Sequence, residues 1–216
     1  MLKNNVDKTD IIYSFLNIVS DMRSHGYVNA PLYDNVFQTL GFKNKNQQLV
    51  QGDPDELLQN IIENYYDKKK IKFFLNAPKQ SVNYLHHHAN INNINALQDT
   101  TNIFQTTDRS TVGTYISNNT HIIIITLQRS NGTGTIFNTK DIMPNTEITA
   151  QDKTFTLIGC NIHTGTGQTA FGHYITYLKI NNLWYKYDDN NNPEQNNTLP
   201  DIVKSNGYMF VYVKTQ

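Results

Sequence analysis

The chain has 216 residues, with 18 Lys and Arg against 18 Asp and Glu, so it carries no formal net charge. That balance, with 17% charged residues, excludes the broad basic footprint of a nucleic-acid binder and the polybasic grip of a protein held on acidic membranes. One cysteine, Cys160, excludes a disulfide framework and a multi-cysteine zinc site; a chain of this length buries enough surface to fold as one domain with neither.

The first element is a helix over residues 9–22, where Ile11, Ile12, Phe15, Leu16, Ile18 and Val19 fall at three-and-four spacing on one face. A shorter helix is expected over 32–40. A third starts at Asp53-Pro54-Asp55-Glu56: a capping acid, a proline at the first helical position and a glutamate three residues on. Leu57, Leu58, Ile61 and Ile62 supply its apolar stripe. Beyond residue 70 the period becomes two, and strands are expected at 72–75, 120–127, 154–161, 173–180, 183–187 and 208–213. Asn131-Gly132 and Asn181-Asn182 suit tight hairpin turns because both residue types tolerate positive φ. His86-His87-His88 lies in a polar, asparagine-rich stretch and reads as an exposed loop, not a metal site, since adjacent histidines cannot all point one way.

Helices first and strands later describe an α+β domain over residues 1–216, with a helical lobe (1–70) and a β-rich lobe (71–216). No apolar run approaches the ~18 residues that a membrane-spanning helix needs, and residues 1–7 lack the plan of a secretory signal. The expectation is a protein of the cytoplasm, or nucleus, without membrane contact.

Chemistry concentrates in the back half. Phe171-Gly172-His173-Tyr174 opens one expected strand, and Leu183-Trp184-Tyr185-Lys186-Tyr187-Asp188-Asp189 closes the next. A histidine starting one strand of a hairpin and an acid ending its partner lie side by side, the arrangement that fixes an imidazole tautomer. A histidine capped by a surface acid would look the same.

Five segments together resemble the ubiquitin-specific protease family of deubiquitinating cysteine peptidases. Asn5, Thr9, Ser14 and Leu16 match the family's first box, Asn-Leu-Gly-Asn-Thr-Cys-Tyr-Met-Asn-Ser-x-Leu-Gln, in register. Gln51 to Leu58 is similar to its Gln-Gln-Asp-Ala-x-Glu-Phe-Leu box, with Gly52 and Pro54 as departures. The run from His121 to Arg129 matches the strand ending Leu-x-Arg-Phe, with Ser130 in place of Phe. His163-Thr164-Gly165, Gly172-His173-Tyr174 and Trp184 to Asp189 follow the histidine box closely, and Tyr208, Phe210 and Tyr212 fit the last strand.

The resemblance implies a papain-like fold with a helical thumb, an antiparallel β palm and reduced fingers without a zinc ribbon. It implies no cofactor and no metal. His173 and Asp188 become the base and its orienting acid, with Asp189 supporting the cluster. Asn5 stands at the oxyanion position, and Asp53, Glu56, Gly172 and Tyr174 line the path of a ubiquitin tail. The position of the nucleophile is Asp10. A carboxylate is a poor nucleophile toward amides, so the resemblance implies a deubiquitinase-like protein that binds ubiquitin, a ubiquitin-like protein or another protein partner without cleaving. Two alternatives stay open: an active peptidase, and a purely structural or assembly module. Cys160 does not rescue activity, because it lies three residues from His163 on one strand and points to the opposite face.

Overall fold

The computed structural model describes residues 52–61, 84–105, 116, 120–130, 137–165, 172–189 and 191–215. The helices expected at 9–22 and 32–40, the strand at 72–75 and the Asn131-Gly132 turn lie outside the described residues, as do Asn5 and Asp10. The chain divides into two units, Met1–Ile71 and Lys72–Gln216.

In the first unit, helix α1 spans Pro54–Ile61. Asp53 is its cap: Oδ1 accepts from the Asp55 backbone N–H at 2.7 Å and the carbonyl accepts from Leu57 N–H at 3.0 Å. The first bond satisfies one of the donors that a helix start leaves without partners, and the second is the first regular bond of the helix. Pro54 has no N–H to lose at this position.

The described strands of the second unit form one sheet. Its strands are β1 Tyr84–Asn90, β2 Ile122–Gln128, β3 Glu147–Ala150, β4 Lys153–Gly165, β5 Gly172–Ile180, β6 Leu183–Tyr187, β7 Glu194–Asn196 and β8 Gly207–Lys214. They run in the order β1-β2-β8-β4-β5-β6-β7, with β3 paired to β4. Among the described residues there is one further helix, α2, over Ile202–Asn206, together with 3-10 turns over Ile91–Asn93 and Leu97–Gln105.

Two expectations need correction. The sheet is mixed, not antiparallel: β1 and β2 run parallel, Tyr84 opposite Ile122 through Asn90 opposite Gln128. Parallel neighbours need a long crossover, and the connection between Asn90 and Ile122 carries both 3-10 turns. The three histidines are not in a loop; they form the middle of β1, with His86 Nε2 2.9 Å from Thr126 Oγ1 on β2. Pairing to the apolar β2 outweighs their low strand propensity, a tertiary effect that local composition does not carry.

Alternation along each strand sets the core. Ile123, Ile125 and Leu127 on β2, Phe155, Leu157 and Ile162 on β4, Tyr177 on β5, Trp184 on β6, and Phe210 and Tyr212 on β8 are buried. Leu85, Ile91, Leu97, Ile142, Ile148 and Val203 close over them. Residues 123–127 are buried without interruption, which explains why β2 reads as a continuous apolar run. Asn181 and Asn182 have φ of 49° and 64°, the left-handed pair of a two-residue hairpin. Gln151 and Asp152, at 49° and 59°, make the same turn between β3 and β4 from less usual residues.

Arg129, just past β2, is fully buried. Its guanidinium donates to the carbonyls of Gly207, Asn138, Lys140 and Lys204 and stands over the Phe137 ring. A planar fork of five N–H donors suits such a carbonyl cage. Burial lowers its pKa to about 10, and it stays charged at neutral pH. One side chain thereby ties the end of β2 to α2, to β8 and to the 137–140 segment.

Candidate functional site

The β5–β6 hairpin brings the sequence-predicted histidine and acids together. Its register pairs Thr176 with Tyr187 and Ile180 with Leu183. His173 near the start of β5 and Asp188 just past the end of β6 therefore meet at the open end of the hairpin. Alternation puts both on the face that carries Ile175, Tyr177 and Trp184. His173 Nε2 lies 2.6 Å from Asp188 Oδ1, and His173 Nδ1 lies 3.6 Å from Asp189 Oδ2. The imidazole side chain is 42% exposed, Asp188 20% and Asp189 74%. Asp189 takes φ of 45°, a conformation that aspartate tolerates better than most residues.

Hydrogen bonds from His173 first, and from Lys186 second, hold the Asp188 carboxyl below the usual carboxylate range. Lys186 Nζ stands 3.2 Å from Asp188 Oδ2 and 3.5 Å from Glu194 Oε1. Sequence reasoning gave Lys186 no role. The signal was its two-residue spacing from Asp188, which puts both on one face of the strand. The backbone around the pair is fixed as well: Thr164 Oγ1 donates to the His173 carbonyl at 3.2 Å, and Asn191 N–H donates to the Asp188 carbonyl at 3.0 Å.

Gly172 and Tyr174 flank the histidine on the opposite face. Tyr174 packs against His163, ring centroids 4.9 Å apart, and against Tyr208 at 5.7 Å. His163 is buried and also packs against Phe137, ring centroids 4.8 Å apart. Asp53 and Glu56 sit in the first unit, Asp53 as the helix cap and Glu56 exposed on α1.

His173, Asp188 and Asp189 offer ligand-type atoms within 4.8 Å of one another, which is metal-site spacing. At 2.6 Å, however, Nε2 and Oδ1 are in direct hydrogen-bond contact, and Oδ2 already faces the Lys186 ammonium. The set is arranged as an imidazole oriented by a carboxylate.

Cys160 is buried on β4, opposite Tyr177 and Phe210, and burial pushes its thiol up to about 12. His163 pairs with Tyr174 across the same strand pair and faces the other way. A thiol so placed does not ionise near neutrality.

No curated protein sequence matches the chain significantly. Solved structures do. The Ubp8-Sgf11-Sgf73-Sus1 SAGA DUB module aligns over 97% of this chain and 58% of the matched one, with 17% identity and a TM-score of 0.66. The same module bound to ubiquitin aldehyde aligns over 99% and 61%, with 14% identity and a TM-score of 0.68. At these identities the likeness is one of fold, and the chain spans about three-fifths of the length of the chains it matches. The family model for ubiquitin carboxyl-terminal hydrolases matches residues 2–212, and the chain is a member of that family.

Proposed function

We propose that this chain is a catalytically inactive ubiquitin carboxyl-terminal hydrolase that keeps the binding surface of the fold and acts by holding ubiquitin, or a ubiquitin-like protein, without cleaving it. The observation that carries the reading is Cys160. The sequence holds a single cysteine, and that thiol is buried in the core with its pKa pushed up to about 12. Isopeptide cleavage by this family's chemistry needs an ionisable, accessible sulfur beside the imidazole, and the position that matches the family's nucleophile is Asp10.

Under this reading Asp10 is an anion at the family's nucleophile position, where a thiolate would stand, and Asn5 keeps the oxyanion position. Asp53 and Glu56 meet the arginines of an extended ubiquitin tail. Asp53 spends one carboxylate oxygen on the helix cap, so Glu56 carries more of that contact. Gly172 and Tyr174 line the narrow end of the channel, and Asp188 with Asp189 orients His173. The thumb, palm and metal-free fingers of the family plan belong to the same reading.

The retained His173–Asp188 contact is compatible with lost chemistry. Removing one member of a hydrogen-bonded cluster leaves its neighbours unsatisfied, which favours keeping it. The same contact also supports a second reading, an active peptidase. Calorimetric titration with ubiquitin tests the first reading: saturable binding is expected, and Glu56→Arg should weaken it. Absence of binding removes the proposal. Turnover of a fluorogenic ubiquitin substrate, abolished by His173→Ala, would establish the second reading instead.

A further inference from the structure

We propose that Lys186 is a positioning residue of the His173–Asp188 pair, its ammonium holding one carboxylate oxygen of Asp188 so that the other is presented to the imidazole. This rests on the reading of that pair as the retained site of the family.

The geometry begins with the strand register. Tyr177 on β5, Lys186 on β6 and Glu194 on β7 form one cross-strand row. Lys186 and Asp188 are two residues apart, so their side chains leave the strand on the same face. Asp188 itself lies beyond Tyr187, the last residue of β6, and its side chain projects from the point where the ladder ends. A carboxylate there is free to turn about two torsions unless both of its oxygens are held. One is held by the imidazole at 2.6 Å and the other by Lys186 at 3.2 Å. Lys186 is in turn held from the far side by Glu194 Oε1 at 3.5 Å. The chain of contacts therefore runs Glu194–Lys186–Asp188–His173, from the short edge strand to the imidazole.

Charge agrees with geometry. Asp188, Asp189 and Glu194 surround this end of the hairpin, and Lys186 is the cation placed between two of them. Its hydrogen bond to Asp188 raises the ammonium above the usual lysine range, while the same bond helps keep the carboxyl ionised. Both partners are only partly shielded from water, and ion pairs of that kind add little to global stability. The consequence of losing Lys186 should thus appear chiefly in the orientation of the imidazole and only slightly in the unfolding transition.

Nitrogen-15 spectra of the His173 ring in the full chain separate the two roles. In the parent protein one ring N–H, on Nε2, should be protected by the carboxylate and give a resolved proton signal. Lys186→Met should lose that signal and show a mixture of ring tautomers, with a urea midpoint close to the parent's, and Lys186→Arg should restore the parent spectrum. Lys186→Gln, which keeps a polar head without charge, gives the same comparison should the methionine variant not fold, and the same loss is expected. Parent-like ring signals in either folded variant would overturn the proposal. Failure of ubiquitin to bind would remove the reading of the site while leaving these ring signals as they are, so the two failures are distinguishable.

Discussion

The imidazole of His163 occupies the space that any side chain at residue 172 would need: a Cβ built on Gly172 falls well under 3.0 Å from the ring, a separation real Cβ atoms essentially never show. Glycine before the histidine is thus a packing requirement, set by a buried ring wedged between Phe137 and Tyr174. Gly172→Ala should cost about 1–3 kcal/mol by overpacking. His163→Ala in the same chain should give back part of that loss, a favourable coupling of about 0.5–3 kcal/mol in a double-mutant cycle. Urea unfolding of the four proteins measures it, and strictly additive losses would show that the ring is not the obstacle.

Asp188 gives a pH dependence of defined sign. Its folded pKa lies below that of the free side chain, because His173 and then Lys186 hydrogen-bond the ionised form. Such a group contributes stability that is fully present above the unfolded carboxylate value of about 3.9, and the contribution is lost as pH falls through the lower folded value. The denaturation midpoint of Asp188→Asn should therefore lie below that of the parent at neutral pH. The gap should close as the pH is lowered below about 4. A gap that widens in acid would mean that the carboxyl is not held ionised in the fold.

Arg129 should be the least replaceable charged side chain among the described residues. Four carbonyls accept from it in a buried site, and each left without a donor costs about 1–3 kcal/mol. Arg129→Leu should destabilise by more than about 3 kcal/mol, the range for breaking a buried charged network. Arg129→Lys should not rescue it, since one ammonium cannot span four acceptors fixed by a planar fork. Thermal or urea unfolding of the lysine variant with parent-like stability would contradict the cage.

The parts of the fold that the sequence made legible are those where local chemistry and tertiary position agree. Asp53-Pro54-Asp55-Glu56 marks the start of α1 because capping is a local interaction, and Asn181-Asn182 marks its hairpin because both residues accept positive φ. Leu183 to Tyr187 is a strand at the expected bounds, and the hairpin register alone brings His173 to Asp188. The residues that escaped the reading depend on distant partners. β1 is a strand because His86 to Asn90 pair with the apolar β2, and its own composition argues the other way. Glu147–Ala150 escaped because its turn uses Gln151-Asp152 in place of asparagine and glycine. Glu194–Asn196 is short and polar, and becomes a strand only by lying beside β6. Lys186 was visible as a residue, but its contact with Asp188 needs the strand end and the opposing Glu194 to be seen as a role.

Central to the proposed function is the proposal that Asp10 takes the nucleophile position of the family. Labelling by an electrophilic ubiquitin probe tests this most directly. The parent chain should stay unlabelled, since burial keeps the Cys160 thiol protonated, and Asp10→Cys should become labelled in a reaction that His173→Ala suppresses. Labelling of the parent chain, or an Asp10→Cys protein that binds ubiquitin and still does not react, would contradict the claim.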